Sequence, residues 1–172
     1  FSGLAATPNA AAGAKREGVL KDIGADALKT GMLGDKALVE MLAQAFADLA
    51  PEIPRVIDPV MVATSGDVLL PGEAVEAVRK LMIPGAGVVT PNAPEAEVLT
   101  GKAVETIDGQ RRAAERLLEM GAEAALVKGA HVPGDVIVDV LATQQGEHFF
   151  EGPRIETKAT HGTGCTLASG IA

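Results

Sequence analysis

Residues 27–58, ALKTGMLGDKALVEMLAQAFADLAPEIPRVID, decide the fold. ALKTGM at 27–32 follows a glycine and reads as a short buried strand ending in a turn. Gly34-Asp35 opens a helix, with Asp35 as N-cap and Leu38, Met41, Leu42, Ala45, Phe46 and Leu49 recurring at helical spacing. Pro51 and Pro54 break that helix, and RVID at 55–58 is a second short strand that ends in the acid Asp58. A strand, a helix and a strand in this order predict one parallel crossover unit.

The pattern continues toward the C-terminus. Residues 59–70 form a loop with a Ser-Gly-Asp turn, and 71–82 an amphipathic helix with Ala74, Val75, Val78, Leu81 and Met82 on one face. GVVT at 87–90 is the next strand, closed by Pro91-Asn92; Pro94 then sits in a first helical turn, with Glu95 and Glu97 favourably placed for the helix dipole. A helix at 108–120 turns Ala113, Leu117 and Met120 inward and Arg111, Arg112, Glu115 and Glu119 outward as a solvated face. AALVK at 124–128 is an apolar strand ending in a lysine, and 136–141 with 147–150 flank a Gln-Gln-Gly turn as an antiparallel hairpin at a sheet edge. The expected class is therefore α/β, a mostly parallel sheet with helices on both faces, in a single domain over residues 1–172.

Toward the C-terminus, THGTGCTLASGIA at 160–172 runs a glycine turn straight into a small-residue helix. The two glycines allow close backbone approach, and the amides of Gly162, Thr163, Gly164 and Cys165 stand where a helix start leaves N–H groups without intrahelical acceptors. The positive end of the dipole suits a phosphoryl oxygen, and the same field favours a thiolate at Cys165, able to accept a hydroxyl proton. A glycine turn before a structural cysteine is the plain alternative.

Composition bounds the function. A formal charge of −8 disfavours nucleic acid and anionic lipid, though it leaves room for a local basic pocket. No apolar run approaches a membrane span, and one cysteine with no zinc-like Cys/His spacing fits a reducing compartment, the cytoplasm. Because the chain starts at Phe1 and stops soon after its last glycine turn, it is expected to be a domain incomplete at both ends. Oligomeric state is not written in the sequence; a homodimer is the commonest symmetric assembly.

In open parallel sheets, ligands bind beyond the carboxyl ends of the strands. Thr30 and Met32, Asp58, Asn92 and Glu95, and Lys128 fall at four such ends. Lys128 needs a counter-anion or water, a phosphate being one candidate. Asp58 and Glu95 are oxygen ligands suited to Mg²⁺, or else cap and turn residues. His131 and His161 flank Lys128 and the glycine turn and can donate to phosphate or simply stand in solvent, while His148 reads as surface. Met32 and Met61 either line an aromatic pocket or fill the core.

With these residues in hand, the chain resembles the hydroxymethylpyrimidine/phosphomethylpyrimidine kinases of thiamine synthesis, within the ribokinase-like superfamily. The resemblance rests on KTGMLGD at 29–35, VIDPVMVATSGDVLL at 56–70, TPNAPEAEVLTG at 90–101, VKGAH at 127–131 and THGTGCT at 160–166, in the family's order. It implies ATP-dependent, Mg²⁺-assisted phosphorylation of 4-amino-5-hydroxymethyl-2-methylpyrimidine and then of its monophosphate. By the same resemblance Cys165 is the base, with the amides of Gly162, Thr163 and Gly164 beside it as the anion hole. Lys128, Asn92, Asp58 and Thr160 handle the nucleotide, Met32, Val60 and His161 neighbour the pyrimidine, and Glu95 and Asp58 lie at the metal. The family's glycine-rich opening and its ALTAQN-like substrate segment do not appear, nor do its C-terminal helices, so the chain on its own is expected to show little or no activity. A pyridoxal kinase of the same branch, a non-catalytic nucleotide-binding remnant and one module of a fused thiamine-pathway enzyme are the alternatives.

Overall fold

The computed structural model describes residues 24–61, 70–155 and 162–172. Thr160 and His161, and the Ser-Gly-Asp turn expected within 59–70, lie outside the described residues. Six strands follow chain order across one sheet: β1 (Leu28–Thr30), β2 (Arg55–Ile57), β3 (Val88–Val89), β4 (Ala124–Val127), β5 (Val136–Thr143) and β6 (Gly146–Pro153). β1 to β4 pair in parallel, and β4, β5 and β6 pair antiparallel. The mostly parallel α/β sheet and its edge hairpin are thus present, with strand ends trimmed or extended by one to three residues.

The helices are α1 (Lys36–Leu49), α2 (Gly72–Ala77), α3 (Ala93–Thr100), α4 (Ile107–Glu119) and α5 (Thr163–Ile171). Asp35 caps α1 as expected, its Oδ1 accepting from Leu38 N–H at 2.8 Å. The buried stripe of α1 is Val39, Leu42 and Phe46. α4 starts one residue before the expected Asp108, because Thr106 supplies the cap, its Oγ1 accepting from Gly109 N–H at 3.1 Å.

One inward assignment changes. α2 passes into a π-turn over Val78–Met82, where Ile83 N–H donates to Val78 O at 3.1 Å. The wider turn shifts the helical phase, so Leu81 is 42% exposed while Met82 and Ile83 are buried. Met61 is buried in the hydrophobic core, which settles it as core filling. Gln110 on α4 is fully buried: its amide donates to Val127 O at 3.0 Å and Val138 O at 2.8 Å, bridging strands β4 and β5.

Register fixes which side chains share a face. Thr30, Ile57, Val89 and Ala125 fall in one cross-strand row, and Ile57, Val89, Ala125, Val127 and Ala142 join the core with residues of α1 to α4. Right-handed crossovers taken in one direction put connecting helices on one side of such a sheet. By the period-2 alternation of strands, Lys29, Asp58, Thr90 and Lys128 belong to the opposite side, where α5 approaches β2.

Gly129 sits where β4 ends against β5, and a Cβ there would lie 1.9 Å from Val138 O. Gly129→Ala is therefore expected to destabilise by about 3 kcal/mol or more, whereas Gly72→Ala, with open space at the start of α2, should change stability by less than about 1 kcal/mol. Denaturant midpoints of the two variants check this contrast.

Candidate active site

The site begins with a carboxylate taken out of water. Asp58 is 1% exposed, and its backbone N–H donates to Thr30 O at 3.1 Å, continuing the β1–β2 ladder one residue past β2. An ionised carboxylate buried this deeply needs cations or donors. Lys128 Nζ lies 3.3 Å from Oδ1, Thr90 Oγ1 donates to the same oxygen at 3.4 Å, and Lys29 Nζ lies 3.6 Å from Oδ2. Oδ2 itself has no hydrogen-bond partner. Four strand ends on one face of the sheet thus contribute one group each.

Lys128 is tied to its place by backbone on both sides. Its N–H donates to Pro91 O at 2.9 Å, and an isolated parallel bridge joins it to Asn92. The following residue, Gly129, donates its N–H to Asp139 Oδ1 at 2.7 Å. Beyond it, the Arg154 guanidinium donates to Ala130 O, Val132 O and Gly134 O at 2.8, 2.6 and 2.7 Å, pinning the loop that carries the exposed His131.

The lysine also faces the glycine turn. Gly162 has φ 79° and caps α5, and Thr166 N–H donates to Gly162 O at 2.9 Å, so the amides of Gly164 and Cys165 precede the first acceptor inside the helix. A Cβ on Gly164 would stand 3.0 Å from Lys128 Nζ. A glycine lets ammonium and helix start stand this close without either having to shift. Cys165 is exposed in the first turn. A cation and the positive end of a helix dipole converge here beside an exposed thiol, an arrangement suited to phosphoryl oxygens and an attacking hydroxyl.

Asn92 and Glu95 serve local structure first. Asn92 Oδ1 accepts from Glu95 N–H at 2.9 Å and Glu95 Oε2 accepts from Asn92 N–H at 2.8 Å, a capping box at the start of α3. Burial pushes the Glu95 carboxyl above its ordinary value and nearby Asp58 adds to this; the backbone bonds from Asn92 and Met61 and the charge of Lys128 oppose it. Met32 is 47% exposed and Val60 partly exposed, at the same edge of the sheet. Lys29 and Thr90 are the neighbours of Asp58 that sequence reasoning passed over. The signal for Lys29 was a charge inside a three-residue strand, which demands a partner.

Divalent cation chemistry fits the donor set in one respect: Asp58 Oδ2 is a buried carboxylate oxygen without a hydrogen-bond donor. Among the described residues no three His, Cys, Asp or Glu side chains gather as a metal site, so a magnesium ion here would draw its other ligands from phosphate and water.

The profile of the Phosphomethylpyrimidine kinase family matches residues 2–172. A hydroxymethylpyrimidine/phosphomethylpyrimidine kinase of Streptomyces coelicolor is 45% identical over 165 residues, covering 96% of this chain and 60% of that protein. The chain therefore spans about three fifths of that relative. Among solved structures, the ADP complex of Bacillus subtilis pyridoxal kinase superposes with TM-score 0.82 at 33% identity, covering 92% of this chain and 60% of that one. Phosphomethylpyrimidine kinase from Clostridium difficile gives TM-score 0.76 at 31% identity, covering 95% and 69%.

Glu95 yields a pH test. Its folded-state value lies above the unfolded one, so its contribution to stability is fully present below the unfolded value near 4.5 and is lost as pH rises through the folded value. Glu95→Gln keeps the capping acceptor and removes the titration. In metal-free protein, the melting temperature of the variant relative to the parent is expected to rise between pH 4 and pH 7; a difference independent of pH contradicts the assignment.

Proposed function

The chain belongs to the phosphomethylpyrimidine kinase family, and from that premise we propose that the complete protein transfers the γ-phosphoryl group of ATP to the hydroxyl of 4-amino-5-hydroxymethyl-2-methylpyrimidine, and a second one to the resulting monophosphate. The observation that carries the reading is the Lys128 ammonium, held between the buried Asp58 carboxylate and Gly164 of the turn that leads into Cys165.

In this reading Lys128 binds nucleotide phosphate oxygens, and the α5 amides of Gly164 and Cys165, with those of the turn at Gly162 and Thr163, accept the charge that builds on the transferring group. Cys165 takes the hydroxyl proton. Asn92 holds the start of α3 and, with Thr160, belongs to the nucleotide side, whereas Met32, Val60 and His161 belong to the pyrimidine side. Asp58, with its unbonded Oδ2, and Glu95, whose oxygens are engaged by backbone amides, would hold Mg²⁺ together with phosphate and water oxygens. When bound, the magnesium ion neutralises phosphate charge and orients the groups for in-line transfer. Two copies form the expected assembly of the complete protein, in its expected cytoplasmic setting; no helix among the described residues is long and apolar enough to cross a membrane.

A second reading, phosphorylation of pyridoxal, is favoured by one observation, the TM-score of 0.82 to a pyridoxal kinase. ADP release by the complete protein with MgATP separates the two. Turnover of the pyrimidine and its monophosphate is expected; turnover of pyridoxal alone would overturn the pyrimidine assignment. Cys165→Ala should lower kcat by about a hundredfold or more while leaving nucleotide affinity within about twofold of the parent.

A further inference from the structure

The two lysines at Asp58 are not equivalent. Lys128 approaches Oδ1 at 3.3 Å, an oxygen that also accepts from Thr90 at 3.4 Å. Lys29 faces Oδ2 from 3.6 Å, too far for a hydrogen bond, and leaves that buried oxygen without a donor. One carboxylate oxygen is anchored and the other is only neutralised. The space around the Lys29 ammonium is cleared by a glycine, since a Cβ on Gly31 would stand 3.0 Å from its Nζ. The Lys29 side chain is 18% exposed against 1% for Asp58, so it lies on the solvent side of the pair.

We propose that Lys29 is a displaceable counter-ion for Asp58: its ammonium neutralises Oδ2 while no divalent cation is bound and yields that oxygen when one binds. The inference rests on the kinase reading for its place in the reaction but concerns the Lys29–Asp58 pair itself. Lys29 is a positioning residue, acting through Asp58. A long, unbonded ion pair is the arrangement expected of a cation that must leave. A hydrogen-bonded ammonium such as Lys128 would resist displacement, because leaving would cost a charge-assisted bond as well as the charge. Two cations cannot share the site without repulsion, so Lys29 competes with the metal and lowers its affinity.

The test is Mn²⁺ binding to the complete protein without nucleotide or pyrimidine, read by electron paramagnetic resonance of the unbound ion. Lys29→Met, which keeps the length of the side chain and removes its charge, should bind Mn²⁺ about tenfold more tightly than the parent. In an Asp58→Asn background the same substitution should change Mn²⁺ affinity by less than about twofold, because the competed carboxylate is gone. Lys29→Gln, which also removes the charge but keeps a polar head group, should move the affinity in the same direction, which covers a Lys29→Met protein that fails to fold. Unchanged or weaker Mn²⁺ binding in Lys29→Met, or in Lys29→Gln if only that variant folds, overturns the proposal. So does an equal gain in the Asp58→Asn background, or absence of Mn²⁺ uptake by parent and variants alike. Pyrimidine turnover by the parent with no effect of Lys29 on Mn²⁺ would defeat this inference and leave the kinase reading standing; the reverse pattern would do the opposite.

Discussion

A carboxylate excluded from water must be neutralised, and the C-terminal edge of this sheet is arranged around that requirement at Asp58. Its partners come from β1, from the segment after β3 and from the end of β4, residues far apart in the chain that parallel pairing brings to one edge and one face. The arrangement is sensitive to register. A one-residue slip of β1 against β2 would carry Lys29 to the core face and leave Asp58 with less compensation. Removing either lysine exposes the same buried charge, so the electrostatics of the site and the pairing of the sheet support each other.

Glycines at this edge hold open the space that charged groups use. Gly31 and Gly164 each leave room for an ammonium that a Cβ would approach to 3.0 Å, and Gly129 lets β4 close against β5 immediately after Lys128. Gly162 is different: its φ of 79° is a backbone requirement, the left-handed residue from which α5 starts. In the motifs KTGM, VKG and GTGC, the glycines are therefore packing and conformational counterparts of the lysines and the cysteine.

Much of this was legible from residue order. The strand-helix alternation, the Asp35 cap, the parallel sheet, the edge hairpin and the placement of Asp58, Asn92 and Lys128 at strand ends come from local periodicity and turn chemistry, which act over a few residues. Local patterns could not show interactions across strands. Lys29 and Thr90 meet Asp58 only through register, and the burial of Gln110 depends on the two carbonyls that β4 and β5 present to it. The exposure of Leu81 depends on a π-turn, whose one-residue offset a 3.6-residue period does not anticipate. Glu95 was readable as a helix-start acid, but its burial and its second bond from Met61 come from the approach of α3 to the segment that follows β2.

The most direct measurement is a crystal structure of the complete protein with Mg²⁺ and a non-hydrolysable ATP analogue. The terminal phosphate is expected between Lys128 Nζ and the first-turn amides of α5, with the metal on the Oδ2 side of Asp58. Phosphates seated elsewhere, such as the groove lined by Lys102, Arg112 and Arg116, with the Asp58 cluster unchanged, would contradict it.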